Sequence, residues 1–272
     1  MPLACLCQPD PPDALQRPAL VIGHPGHELR VFGWVAEHRP RVYVLTDGSG
    51  RSGISRLPST ARLLAALGAE PGEVFGALSD AELYRALLAG DSTLFLGLLD
   101  RLADSFLRHR IDFVVGDARE GYNPAHDLCR ALLDAAVRMV QGAGGAPANY
   151  EIRLTERRQA RAELHDQDCW HLSLDDALLQ RKLQAAHDYV EMRDEVRDAL
   201  ALCGEEYFRL ECLRRVRQPV PPAALEARPF YETWGEQRVA AGDYASVIRW
   251  REHMLPVLEA LFEHAACAPR PS

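Results

Sequence analysis

The sequence predicts an α/β fold, a mostly parallel sheet flanked by helices, and three observations carry that expectation. Short apolar runs of buried-strand type alternate with helical patterns through the first half of the chain. The runs are apolar at consecutive positions, as strands covered on both faces are. Each of the first three is followed by a loop rich in His, Asp, Glu or Arg.

In order, PALVIG (18–23) reads as the first strand and a helix-like stretch runs from His27 to about His38. RVYVLT (41–46) is the second strand, and LPSTARLLAALGA (57–69) a helix closed by Gly68. Two further helical patterns lie near 80–89 and 91–108, followed by the strand IDFVVGD (111–117). HDLCRALLDAAVRMV (126–140) has helical periodicity and stops at QGAGGAP, and NYEIRL (149–154) reads as one more strand. From about Asp175 to Arg217 the pattern is almost entirely helical. QPVPPAALEARP (218–229) is a Pro-rich linker or surface strap. In the last segment Val247, Trp250, Met254, Leu258 and Leu261 follow helical spacing, which predicts packing on the chain's own core. The division is a leader over 1–17, an α/β body over 18–217 and a strap with a helical C-terminal extension over 218–272.

With 47% hydrophobic and 26% charged residues in 272, the chain is a folded globular protein and not a disordered or fibrous one. A formal charge of −8 argues against nucleic acid as a partner. No apolar run reaches the roughly 18–20 residues of a membrane span. The opening residues carry no positive charge before an apolar stretch, which argues against a secretory signal and for the cytoplasm. Lys182 is the sole lysine and reads as a surface charge. The seven cysteines are odd in number and show no C-x-x-C spacing, as expected of reduced thiols. Cys5 and Cys7 are close enough for a soft metal but sit in the Pro-rich leader. His165 and Cys169 stand four apart and read as solvated loop residues. The other histidines outside the loops below show no ligand-type grouping.

The chemistry concentrates in three strand-end loops. GHPGHE carries His24, His27 and Glu28; LTDGSGRSGISR carries Asp47, Ser49 and Arg56; GDAREGYNPAHD carries Asp117, Glu120, Asn123, His126 and Asp127. In an open parallel sheet such loops converge on one crevice. His24 and His27 lie three apart around Pro25–Gly26, a tight turn that can aim both imidazoles at one point. His126 is the best third ligand, and three neutral nitrogens suit Zn²⁺, with Fe²⁺ also compatible. Hydrogen-bonded histidines of a polar cleft are the alternative. Glu28 can orient a ligand histidine or favour a helix N-terminus.

VIGHPGHEL resembles the H-P-D-D-E signature of the LmbE-like, or PIG-L, deacetylases. Arg56 stands before Gly68 as that family's Arg does in its R-x-x-E…LG helix, and NPAHD resembles its later H-P-D-H segment with His126 at the last His. RKLQAAHDYVEM and GEEYFRLE resemble its Lys-Ala helix and closing G…E pattern, so the likeness runs over roughly 18–215. The resemblance implies a Rossmann-like layered fold and a zinc-dependent hydrolase that removes N-acyl groups from amino sugars or related small molecules. It implies metal ligation by His24, His27 and His126.

Four departures stand beside the matches. Gly26 occupies the position of the family's general base, and His27 that of its metal-ligating Asp. Asn123 replaces the first His of H-P-D-H, and Ser59 the Glu of the Arg-containing helix. A three-histidine zinc site lowers the pKa of water toward ~7 and needs less help from a base. Asp127, Glu120 or Asp47 is expected to accept the proton, and Arg56, Asn123 or Ser49 to hold the substrate. The expected function is hydrolysis of an N-acyl group on a small amino-sugar-like substrate. A silent small-molecule-binding homologue, or a metalloenzyme of the same fold with another reaction, is the alternative. The C-terminal segment, with Trp234, Tyr244 and Trp250, suits either a cover for the cleft or the interface of a homo-oligomer.

Overall fold

A computed structural model describes residues 17–154, 168–218 and 228–267. Cys5, Cys7, His165 and most of the leader and strap lie outside the described residues. The chain forms β1 (Pro18–Ile22), α1 (Phe32–His38), β2 (Arg41–Thr46), α2 (Leu57–Leu67), β3 (Glu70–Leu78), α3 (Asp80–Ala89) and α4 (Ser92–His109). There follow β4 (Phe113–Asp117), α5 (Pro124–Gly142), β5 (Ala148–Ile152), β6 (Cys169–Ser173), α6 (Asp176–Asp188) and α7 (Arg193–Cys203). β7 (Leu210–Arg215), α8 (Phe230–Ala240) and α9 (Leu255–Cys267) complete it.

The sheet runs β3-β2-β1-β4-β5-β7-β6. The first five strands are mutually parallel, and β7 is antiparallel to both β5 and β6. Side chains alternate between two apolar layers, as a period of two requires. Ala19, Val21, Tyr43, Leu45 and Val114 face α4, α5 and α9. Leu20, Ile22, Val42, Val44, Phe113 and Val115 face Trp34, Val35, Leu64 and Tyr189. This is the α/β Rossmann-like arrangement, and double-sided burial explains the unbroken apolar runs. Trp250, Met254, Leu258 and Leu261 enter the first layer, so α9 is part of the core, whereas Trp234 and Tyr244 remain exposed.

Three strands depart from expectation. β6 is not among the strands the sequence predicts, and it buries Cys169, which corrects the reading of that residue as part of a solvated loop. β3, EPGEVFGAL, carries Glu, Pro and Gly, residues depleted in strands; its edge position tolerates Pro71. Gly72 lies against the Tyr43 ring, where a Cβ would stand 2.3 Å from Cε1. β7, LECLRR, falls within the stretch read as helical. Two of its charged side chains have remote partners: Arg214 pairs with Glu151 of β5, and Glu211 reaches the N-terminus of α1.

That second contact corrects the surface reading of Lys182. Glu211 accepts the amides of Gly33 (2.9 Å) and Trp34 (3.0 Å), capping α1 from far along the chain. Lys182 of α6 donates to the same carboxylate at 2.8 Å, and both side chains are buried. Burial pulls the Lys182 ammonium below its ordinary value, and Glu211 opposes that shift. Lys182→Met, which strands a buried carboxylate, is expected to cost about 3 kcal/mol in urea unfolding. A loss below about 1 kcal/mol, the range of an exposed ion pair, would restore the surface reading.

Candidate functional site

In the strand order β1 and β4 are neighbours from which the chain winds in opposite directions, and the crevice opens at their carboxyl ends. Four strand ends contribute. Gly23 follows β1, and its amide donates to Asp117 Oδ2 at the end of β4 (2.7 Å). A side chain there would crowd that carboxylate, since a Cβ on Gly23 would lie 3.1 Å from Asp117 Oδ2 and 3.5 Å from His126 Cδ2. Asp117 Oδ2 is also 2.8 Å from His27 Nδ1. His24 Nδ1 lies 2.8 Å from Thr46 Oγ1 at the end of β2 and 3.1 Å from Asp80 Oδ1 just after β3. His126 sits in the first turn of α5.

The three imidazoles form one cluster, with centroids 5.4 Å apart for His24–His27, 5.1 Å for His24–His126 and 4.7 Å for His27–His126. Burial, followed by the two neighbouring rings, holds His126 well below the usual histidine range, so it is neutral near pH 7. Burial would raise the Asp80 carboxyl, but the His24 contact and the Gly50 amide (2.6 Å) outweigh it and hold Asp80 at about 2. His126 Nδ1 and Asp117 Oδ1 are buried without a hydrogen-bond partner. Carboxylates on the Nδ1 side of His24 and His27 leave Nε2 on each as the free donor, the arrangement that supports histidine ligands. The donor set therefore fits Zn²⁺ or Fe²⁺ chemically. Among the described residues, however, the three donors already within 4.8 Å of one another belong to another cluster, Cys169, His171 and Cys212.

The remaining expected site residues serve the loops. Asp47 Oδ1 accepts the Ser49 amide (2.9 Å), an Asx-type turn, and Ser49 itself is buried. Glu120 Oε2 accepts the Leu154 amide (3.0 Å). Asn123 caps α5 through the Ala125 amide (2.8 Å). Asp127 Oδ1 takes the amides of Glu120 (3.2 Å) and Gly121 (3.1 Å), and burial, opposed by Arg119 and those amides, raises its carboxyl to about 6. Glu28 is buried and accepts the Gly26 amide (2.7 Å); burial raises its pKa. Arg56 pairs with Glu195 (2.9 Å), which lines a cavity of about 450 Å³. That cavity is mainly apolar, with Leu29, Leu154, Met192, Val196 and Phe208 on its walls, and it reaches Gly26 beside His27.

Asp80 and Met192 are the residues that sequence reasoning missed. Recognising β3 would have exposed Asp80 as another strand-end acid. Gly26 has φ +106°, and a Cβ there would lie 2.1 Å from Met192 Sδ. A thioether thus fills the space a carboxylate at position 26 would enter.

No family model and no curated protein matches the chain. Among solved structures, the zinc-inhibited form of teicoplanin deacetylase Orf2 matches with a TM-score of 0.51 at 11% identity, over 75% of this chain and 100% of that one. Two further structures, a deacetylase triple mutant (Orf2*T) from the teicoplanin biosynthetic pathway and a deacetylase–bog complex from teicoplanin biosynthesis, match at TM-scores of 0.48 and 0.49 and 12% identity. The chain shares its α/β fold with that first structure. At this identity the likeness to the teicoplanin enzyme is one of architecture, and function has to be argued from this chain's own residues.

Two outcomes follow from the geometry. Gly26→Asp is expected to destabilise by about 1–3 kcal/mol from the positive φ alone. Adding Met192→Ala should relieve the contact but not the backbone strain, and a cycle of the two variants in chemical denaturation measures the split. For Asp127 the folded pKa lies above the ordinary 3.8, so its contribution to stability is present below pH 3.8 and lost as pH rises through about 6. Asp127→Asn should therefore gain on the wild type between pH 4 and 6 and stay up to about 3 kcal/mol more stable at pH 7–8. Parallel stability–pH curves for the two proteins would contradict this.

Proposed function

We propose that the chain is a metal-dependent hydrolase of the LmbE/PIG-L deacetylase type, which cleaves an N-acyl group from a small amino-sugar-like substrate. His24, His27 and His126 would hold Zn²⁺, or Fe²⁺ in its place. The observation that supports this most is the three-imidazole cluster at the strand-order reversal, with Asp80 and Asp117 behind two of its members. When bound, an ion of this kind supplies Lewis acidity toward water and an amide carbonyl.

The protein's own groups do the rest. Asp117 and Asp80 orient His27 and His24. Asp127, whose carboxyl is raised to about 6, has the proton affinity of a base working near neutral pH, and only its Oδ1 takes the loop amides. It is our first choice for proton acceptor, ahead of Glu120 and Asp47, because burial raises its carboxyl toward neutral pH. Asn123 keeps its amide nitrogen for a developing oxyanion, with Ser49 beside the loop as a further contact. Arg56, at the cavity edge through Glu195, would bind a polar group of the substrate, and the apolar walls would take an apolar portion.

Elemental analysis of the dialysed protein, with turnover of N-acyl amino sugars read as amine release, tests the reading. His24→Ala, His27→Ala and His126→Ala should each lose one equivalent of metal and activity together. Asp117→Asn should weaken metal affinity by about 10–100-fold. Asp127→Asn should keep the metal and lose turnover. Full metal content in all three histidine variants would sink the assignment. Met192 in the place of a base favours a second reading, a catalytically silent small-molecule-binding homologue. Metal and ligand binding without amine release from any substrate tried would decide for it.

A further inference from the structure

We propose that Cys169, His171 and Cys212 form a second metal site, for a thiophilic ion of the Zn²⁺ class, at the β6–β7 edge of the sheet. Cys169 and His171 are two apart on β6 and share a face, and His171 is directly opposite Cys212 in the antiparallel ladder. The alternate residues Trp170, Leu172 and Leu213 pack into the apolar layer around Trp34, so the three donors lie on the other face. One donor atom from each lies within 4.8 Å of the other two. Cys169 is buried, and His171 and Cys212 are half-buried. β7 and β6 lie two and three strand spacings from β4, about 10 and 14 Å, so the cluster is separate from the histidine crevice.

The chemistry selects the occupant. His171 Nε2 is buried with no hydrogen-bond partner, an arrangement that costs free energy unless something accepts or donates there. Two thiolates and one neutral imidazole balance a divalent charge and favour Zn²⁺ over Ca²⁺ or Mg²⁺, which take oxygen donors. A disulfide is the competing use of two neighbouring cysteines. Cys169 is paired with Arg214, which puts Cys212 on the diagonal, where Cα atoms are about 7–8 Å apart. That exceeds the usual disulfide span of about 4.4–6.8 Å, whereas an ion bridging two sulfurs accepts the wider separation. Three protein donors leave a fourth position for water or a small external ligand. An ion held here would bind the edge strand β6 to β7, the strand that also carries the Glu211 cap of α1.

Cobalt titration of the full chain, stripped of metal and kept reduced, tests the site. The expected result is one equivalent of Co²⁺ giving a near-ultraviolet thiolate-to-cobalt charge-transfer band and strong visible tetrahedral absorption, both displaced by Zn²⁺. Cys169→Ser and Cys212→Ser should each remove the thiolate band, whereas His24→Ala and His126→Ala should leave it. Absence of the band in the wild type, or its survival in both cysteine variants, overturns the proposal. Because Cys169 is buried, a second measurement uses the unaltered protein: alkylation followed by peptide mass mapping. Zn²⁺ should slow modification of Cys169 and Cys212 together by at least about tenfold, reversed by chelator, and equal rates with and without Zn²⁺ overturn the proposal. Neither readout involves turnover, so the result is independent of the histidine cluster's activity.

Discussion

Asp117 is wholly buried at the end of β4, where an isolated carboxylate would be costly, and the local structure supplies it with donors. The Gly23 amide brings the end of β1 to it, and His27 Nδ1 completes the contact from the following turn. A carboxylate acceptor makes Nδ1 the protonated nitrogen and turns Nε2 away from the sheet. The tight approach depends on Gly23, because a side chain there would press on both the carboxylate and His126. One buried charge thus joins the two strands at which the sheet order reverses and orients the histidine cluster between them.

The same crevice shows how the chain departs from the deacetylase motif it resembles. Where that motif has an acid, Gly26 adopts a left-handed conformation closed by Glu28, and the Met192 thioether packs over it. Met192 also lines the apolar cavity, so one side chain both fills the space over Gly26 and forms an apolar wall. Acidic groups stand behind the histidines as Asp80 and Asp117, and Asp127 holds the loop before α5.

At the far edge of the sheet, β7 is held less by its own β propensity than by what its side chains reach. Glu211 answers two amides of α1 and the Lys182 ammonium, and Arg214 answers Glu151. The opposite face of the β6–β7 pair carries the thiol and imidazole cluster. Polar side chains with defined tertiary partners hold this edge, while the central strands rely on apolar layers.

Local pattern alone determined the four central parallel strands, most of the helices, and the three loops in which His24, His27 and His126 lie. Burial on both faces of a strand, or on one stripe of a helix, leaves a mark within a window of a few residues. Tertiary structure decided what depends on partners distant in the chain. β3 and β7 are strands although their Glu, Pro, Gly and Arg residues speak against it, because neighbouring strands, Tyr43 and the α1 terminus accommodate them. Asp80 became a partner of His24 only once β3 brought it to the crevice, and Lys182 became buried only because Glu211 stood opposite. His171 showed no grouping by spacing, since its neighbour Cys212 comes from the strand across the ladder. A charged or ligating residue is defined by what it meets, and its local window does not contain that partner.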